Sequence, residues 1–596
     1  MKDVEYTEEQ QKFINHPEEV FLDACPGSGK TRAIIGRVQR LSDNLALRRG
    51  IAVLSFTNTA VDEFKRRCQS LNLQNVTVHP GFVGTFDAFV RHFFVMPAGI
   101  RGVSQRPAIV ESWSSLGIEV RLRGSNAFRG NGVPLDYFDE VEGTIDPSVI
   151  GHTGLRAHVV EHKDDYERAA SSYRYNLHQK GILSTADARV IALQNLSSDR
   201  WAESLGTAIA SRFSEIIVDE AQDCNPLDLA ILDWLRDHRL PVTVVCDPDQ
   251  AIYGFRRGNE DQEILNEFSR KYDEDNIFGL TGNFRSGPNI CSLAATLRDR
   301  KDPDNPKGRN NAIRTEIQIL EYGGPIPGSI GKLFNELIMQ TEISPDKSFV
   351  LSHKRNSALR ASGVTTVSND LGTSKVSILA RAVAGFWASS GSNHDKEVAL
   401  RHVERLILQL MGIIDNNEPL QRAIEQNGID ARWLRRLSLE LVMAIPSKCD
   451  DTDDARSEWL SAMLNSVRNL GLAYGDGKSE RRFFRRPSNN HWCQILTNKS
   501  VPDLRCATVH EAKGREYEAV CLVIPPNRAP QNHTEQLMSA WERGSNDESK
   551  RVAYVAVTRA EKMVSIAIPK AYRARLTEIL DKEEVPWVIH DLDMVE

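Results

Sequence analysis

Short apolar runs that break off at glycine-rich or acidic clusters recur along this chain. FLDA (21–24) runs into CPGSGK, the β-branched run Ile216, Ile217, Val218 into DEAQD, and PVTVVC (241–246) into DPDQ. Runs this short, bounded by turn residues, predict buried central strands of a parallel sheet. Directly after CPGSGK, Ala33, Ile34 and Val38 recur at helical spacing and predict a helix beginning at Thr31. SFVLSHKRNSALRASGV (348–364) reads as strand, turn and helix. VERLILQLMGII and ARWLRRLSLELVMAI are amphipathic helices, and HVVEHKDDYERAASSYRYNLHQKGILS is helical and charged.

Composition narrows this α/β picture. At 596 residues the chain is too long for one core, and the length prior gives roughly four domains. Apolar and charged contents of 41% and 26% are ordinary for a globular protein. No apolar run approaches the ~20 residues of a membrane-spanning helix, and MKDVEYTEEQQKF lacks a signal-peptide core, so a cytoplasmic location is expected. The nine cysteines form no CxxC pair, which suggests neither a zinc ribbon nor a disulfide framework. A net charge of −7 gives no global support for nucleic-acid binding, but a local basic channel is compatible with it.

The candidate chemistry sits where the apolar runs end. ACPGSGKT fits the phosphate-loop pattern, with Ala24 in place of the usual first glycine, followed by Cys25, Pro26, Gly27, Ser28, Gly29, Lys30 and Thr31. Glycines let backbone N–H groups curl around a phosphate, and a helix N-terminus adds partial positive charge. Lys30 is expected on the β- and γ-phosphates and the Thr31 hydroxyl on Mg²⁺. The bland alternative is a tight strand-to-helix turn. Asp219 and Glu220 follow the second run, where ligands bind in open α/β sheets. Asp219 is the expected metal partner and Glu220 the base that deprotonates the attacking water; a solvated acidic turn is the alternative. After the third run come Asp247 and Gln250, an uncharged group able to hydrogen-bond a γ-phosphate or the attacking water. Tyr253, Phe255 and Arg256 then interleave aromatics with a base, as in a single-strand stacking platform or, equally, a core aromatic pair.

In their order along the chain, YTEEQQKFI, ACPGSGKT, FTNTAVDEFKRR (56–67), GTFDAF (84–89), DEAQD, DPDQAIYGFR, LTGNFRS (280–286), ATVHEAKGREYEAVCLV (507–523) and RVAYVAVTRAEK (551–562) resemble the motifs of UvrD/Rep-type superfamily 1 DNA helicases. That resemblance implies two RecA-like motor domains that clamp ATP between them and translocate 3′→5′ on single-stranded DNA. It implies Gln10 and Phe284 on the adenine, Arg32 within the nucleotide site, Glu516 on the ribose in the same loop as Lys513 and Gly514, and Arg285 and Arg559 as arginine fingers. On the DNA side it implies Phe56, Thr57, Asn58, Thr85, Phe86, Tyr253, Phe255, Thr508 and His510, with Arg256 linking the two sites. Phe255 stands where many relatives carry tryptophan, which predicts a weaker platform.

The expected division is 1–90 with 186–279 as the first motor domain and 91–185 as a mainly helical insert. Residues 280–358 with 501–596 form the second, and 359–500 a second helical insert. Three functions fit these motifs. One is a helicase of repair or replication restart. Another is a helicase-like subunit of an anti-phage complex with a nuclease partner, resembling the UvrD-like partner of the Gabija complex. The last is an ATP-gated DNA-binding switch. In the second insert, ERRFFRR (480–486) carries Arg481, Arg482, Arg485 and Arg486, which fit phosphate binding, a solvated surface or a protein contact alike, around Phe483 and Phe484, whose expected exposure favours docking of a partner protein or a second copy of the chain.

Overall fold

The computed structural model describes residues 5–43, 49–124, 127–128, 130, 132–197, 199–252, 261–298, 304–363, 374–387, 393–415, 418–487, 490–493, 496, 504–527 and 532–592. Among them no helix is long and apolar enough to cross a membrane. The chain forms two compact units. One gathers residues 1–89, 196–366 and 500–596, the other 90–195 and 367–499.

The first unit holds two six-stranded sheets. In chain order the strands are β1 (Phe21–Ala24), β2 (Gly50–Ser55), β3 (Phe82–Thr85), β4 (Phe213–Val218), β5 (Val242–Cys246) and β6 (Ile277–Leu280), then β7 (Ile317–Tyr322), β8 (Ser348–Ser352), β9 (Arg505–Thr508), β10 (Tyr517–Val523), β11 (Ala560–Pro569) and β12 (Trp587–Asp591). The first sheet runs β6-β1-β5-β4-β2-β3 and the second β9-β8-β10-β11-β7-β12, all parallel. The three apolar runs of the sequence are thus β1, β5 and β4, side by side. Their C-terminal loops meet at one edge, the ligand edge of an open parallel sheet.

A buried charge network stiffens that edge from behind. Arg37, on the helix Lys30–Asp43, is fully buried. It donates to Glu215 Oε1 of β4 at 2.7 Å and to Phe13 O at 2.8 Å, and Thr243 of β5 donates to the same carboxylate oxygen at 2.5 Å. Removing one partner of such a pair strands a buried charge, a cost of about 3–5 kcal/mol. The helix behind the phosphate loop is therefore tied to both strands that carry the acidic loops.

The second unit contains the helices Thr153–Glu161, Lys163–Gln179, Lys375–Trp387, Asn393–Leu410, Ala431–Ala444 and Asp453–Asn469. Arg422 joins its two chain segments by donating to the carbonyls of Lys180 at 2.5 Å, Gly181 at 2.8 Å and Arg106 at 3.0 Å. The unit's first segment runs to residue 195 and holds the strand Ile182–Ser184, which pairs with Ala108–Val110 and leads into the helix Thr185–Leu196. In the first unit the helix Arg355–Ala361 packs on β8. The phenylalanines of ERRFFRR are not exposed: Phe484 is 4% exposed within the helical core and Phe483 packs half-buried against it, while the four arginines remain at the surface.

Candidate nucleotide cleft and nucleic-acid edge

The phosphate loop closes through its own backbone. Ser28 N–H donates to Cys25 O at 3.2 Å, Cys25 N–H to Leu280 O at 3.2 Å, and Phe284 N–H to Gly27 O at 2.7 Å. Gly27 and Gly29 have φ of +73° and +78°. A Cβ on Gly27 would lie 2.6 Å from Asn283 Oδ1, and one on Gly29 2.9 Å from Gln10 Nε2. Both positions therefore demand glycine for conformation and for space. Gln10 is buried, caps its own helix with Thr7, and donates to Ser28 O at 3.0 Å. Ala24, Cys25 and Ser28 are buried as well, so they offer backbone rather than side chain, and Ser28 Oγ has no hydrogen-bond partner among the described residues. Lys30 Nζ rests on Ala24 O at 3.2 Å. Arg32 donates to Glu5 O at 2.7 Å and lies over the Tyr6 ring at 5.2 Å.

A cleft of about 400 Å³ opens in front of this loop. It is lined by Pro26, Gly27, Gly29, Lys30, Thr31 and Arg32, by Asp219, Glu220 and Gln250 of the first sheet, and by Phe284, Arg285, Gly514, Glu516 and Arg559. Charge in it is tightly organised. Glu220 has a left-handed backbone, φ +57°, rare for a residue with a side chain. Its N–H bonds Asp219 Oδ1 at 3.0 Å, and Gln222 Nε2 holds its carboxylate. Gln222 Oε1 also accepts from Asp247 N–H at 3.0 Å, so one side chain ties two loops. Gln250 Nε2 donates to Asp247 Oδ2 at 2.7 Å, and its Oε1 accepts from Arg559 Nη2 at 2.7 Å. Arg285 donates to Glu516 Oε1 through Nε at 2.9 Å and Nη2 at 2.5 Å, and to Thr558 O at 2.8 Å.

Protonation follows from this arrangement. Burial and the neighbouring Glu220 push Asp219 upward against Lys30. Burial would raise Glu220 too, but Lys30 and Lys513 outweigh it and hold this acid below the carboxylate range, ionised and able to accept a proton. Burial would lower Lys30, yet Glu220, Asp247 and Asp219 keep it above its ordinary value. Burial and Arg285 bring Arg559 down to about 10, still cationic at neutral pH.

The donor set fits a nucleotide with its divalent cation. No group of three His, Cys, Asp or Glu among the described residues could hold a metal by itself. The Thr31 hydroxyl and the Asp219 carboxylate are two hard oxygen donors on one cleft, the sparse protein share that Mg²⁺ takes when phosphates and water complete its shell. The two positive-φ glycines give the loop the backbone turn that a phosphate-wrapping loop uses.

Four charged lining residues carry no sequence assignment: Glu63, Arg67, Arg309 and Glu561. Glu63 and Arg67 pair one helical turn apart, a spacing visible within FTNTAVDEFKRR. Arg309 pairs with Glu561 at 2.7 Å from a loop without motif character, so no local pattern could have flagged it.

The candidate nucleic-acid residues sort by exposure. Thr57, Thr85 and Thr508 each end or follow a strand and cap the next helix, accepting from Ala60, Ala88 and Glu511 N–H at 3.2 Å. Thr57 and Asn58 are exposed, and Thr57 also lines the cleft. His510 Nε2 lies 3.0 Å from Ile252 O. Phe56 is half-buried and stacks on Phe86 at 5.6 Å between ring centroids. Phe86 itself is 1% exposed, so its ring packs in the core and stacks on Phe56 from there. Tyr253, Phe255 and Arg256 lie outside the described residues.

Comparison with known proteins agrees with this geometry. The UvrD/REP helicase N-terminal domain model matches residues 6–112 and 143–273, and the UvrD-like helicase C-terminal domain model residues 486–570. The putative ATP-dependent DNA helicase YjcD of Bacillus subtilis is 22% identical over 95% of this chain and 79% of its own length. The ATP-dependent DNA helicase srs2 of Schizosaccharomyces pombe is 24% identical over 50% of this chain and 36% of its own length, and PcrA of Staphylococcus aureus 25% over 53% and 43%. The chain thus spans less than half of the last two. With two family models that together match more than half of its residues and two parallel sheets that close on a phosphate-loop cleft, this chain is a member of the UvrD/Rep-like helicase family.

Proposed function

We propose that the chain is an ATP-driven motor on single-stranded DNA, hydrolysing ATP between two RecA-like domains and stepping 3′→5′. The domains are the two sheets, the first motor and the second motor, with 90–195 and 367–499 as their inserts. The observation that carries this reading is the contact of Arg559, from the second sheet, with Gln250, from the first, in the cleft that holds Lys30, Asp219 and Glu220. A cation so placed acts on phosphate charge only when both sheets face the same nucleotide.

The residues divide the work by their chemistry. The loop backbone from Ala24 to Gly29 wraps the phosphates, and Lys30 balances their charge. Thr31 and Asp219 would hold Mg²⁺, which would supply positive charge to the phosphates when bound. Glu220, ionised and clamped by Gln222, takes a proton from the attacking water, and Gln250 orients that water. Arg285 and Arg559 stabilise the charge that develops on the transferring phosphoryl group. Phe284, Arg32 and Gln10 shape the adenine side, and Glu516 meets the ribose. Phe56, Thr57, Asn58, Thr85, Thr508 and His510 border the DNA strand. The expectation of a defence subunit with a nuclease partner leaned on the inserts, and the loop best suited to docking turns its phenylalanines into the core, so the motor reading is preferred.

The test is steady-state ATP hydrolysis titrated with oligo-dT. The wild type is expected to be stimulated by DNA, and Lys30→Ala to lose turnover with or without it. Equal rates in the two proteins would contradict the assignment.

A further inference from the structure

Three consecutive carbonyls at the end of the β5 loop each receive a side chain from the second sheet's half of the unit. Lys513 Nζ donates to Gln250 O at 3.1 Å, Arg551 Nε to Ala251 O at 2.6 Å, and His510 Nε2 lies 3.0 Å from Ile252 O. Gln250, Ala251 and Ile252 are all buried, so their carbonyls need protein partners, and side chains from the second sheet's half supply them. Lys513 is also ion-paired with Asp223 at 2.5 Å, both side chains being 5% exposed. Asp223 closes the short helical turn Ala221–Asp223 that follows Glu220. Gln250, whose carbonyl is the first of the three, offers its side chain to Asp247 and Arg559 in the cleft.

We propose that Lys513 and Arg551 are positioning residues that couple the nucleotide cleft to the DNA track. The proposal rests on the motor reading above. The reasoning is geometric. His510 and Lys513 sit on one short segment that starts at Thr508, and both grip the chain just before residues 253–256. A shift of that segment on DNA engagement moves Gln250 through its backbone and the Glu220 turn through Asp223. Neither Lys513 nor Arg551 touches nucleotide or DNA in this role. They set where Gln250 and Glu220 stand relative to the second sheet.

The experiment uses the full chain and two variants. Arg551→Met keeps the stem and deletes the donor at a half-buried position. Asp223→Leu with Lys513→Met removes the buried pair together, a replacement by apolar groups that is often neutral for folding. The readout is the coupling between AMP-PNP and oligo-dT, measured as the factor by which each ligand changes the other's affinity; linkage makes the two factors equal. Wild-type coupling is expected within the usual range of about 5–150-fold, and both variants are expected to bring it close to one while each ligand alone binds within about threefold of wild type. DNA-stimulated turnover should fall about tenfold in both variants, DNA-free turnover should be kept in Arg551→Met, and Arg551→Lys should restore part of the stimulation. Wild-type coupling retained in both variants would overturn the positioning role alone. A loss of affinity for either ligand by itself would overturn it as well, since the residues would then be binding groups. A wild type with no coupling and no stimulation by oligo-dT would overturn the motor reading and this inference together.

Discussion

Arg559 Nη2 donates to Gln250 Oε1 at 2.7 Å, a contact between a residue preceding β11 of the second sheet and one following β5 of the first. Both side chains are buried, and Gln250 is held from its other end by Asp247. Arg559 is thus held in place by protein partners, and in the proposed finger role its loss should act on turnover. Arg559→Ala is expected to lower kcat by roughly a hundredfold or more while ATP affinity changes little. Single-turnover hydrolysis alongside nucleotide titration separates the two. Weakened binding with turnover intact at saturation would remove Arg559 from the finger role.

Glu220 is ionised, adopts a left-handed backbone and is clamped by Gln222. Glu220→Gln keeps the shape and removes the base, so ATP should bind but turn over about 10²–10⁴ times more slowly. A Glu220→Gln rate near wild type, measured with oligo-dT present, would assign the proton transfer elsewhere.

Gly27 tolerates no Cβ: its φ is +73° and Asn283 Oδ1 would sit 2.6 Å away. Gly27→Ala is expected to cost about 1–3 kcal/mol of stability in denaturant unfolding and to weaken ATP binding, because the loop must open to relieve the clash. Unchanged stability would mean that the loop relaxes freely.

Phe56 and Phe86 stack on each other but differ in exposure. Phe56→Ala should weaken oligo-dT binding by roughly 1–3 kcal/mol with folding little changed. Phe86→Ala should instead cost about 3–5 kcal/mol of stability. The reverse pattern would place the DNA contact at Phe86.

These two residues also show where sequence reading stops. Strands β1, β4 and β5 were legible because a short apolar run broken by glycine or acid has few other structures open to it, and the clustering of their loops follows from parallel sheet geometry. Side-chain depth is a different matter. Phe56 and Phe86 belong to similar motifs, and only tertiary packing makes one a partner for solvent and the other core. Phe483 and Phe484 repeat the lesson, since two aromatics among four arginines read as a surface until the helical core claims them. Arg309 and Arg551 reach their partners at separations of 252 and 300 residues, which no local pattern encodes.

The most direct test of the motor account is release of streptavidin from biotinylated oligo-dT. A motor stepping 3′→5′ displaces streptavidin from the 5′ end faster than from the 3′ end, only with ATP, and not in Glu220→Gln. Equal release from both ends, or release that survives in Glu220→Gln, would contradict directional movement driven by this cleft.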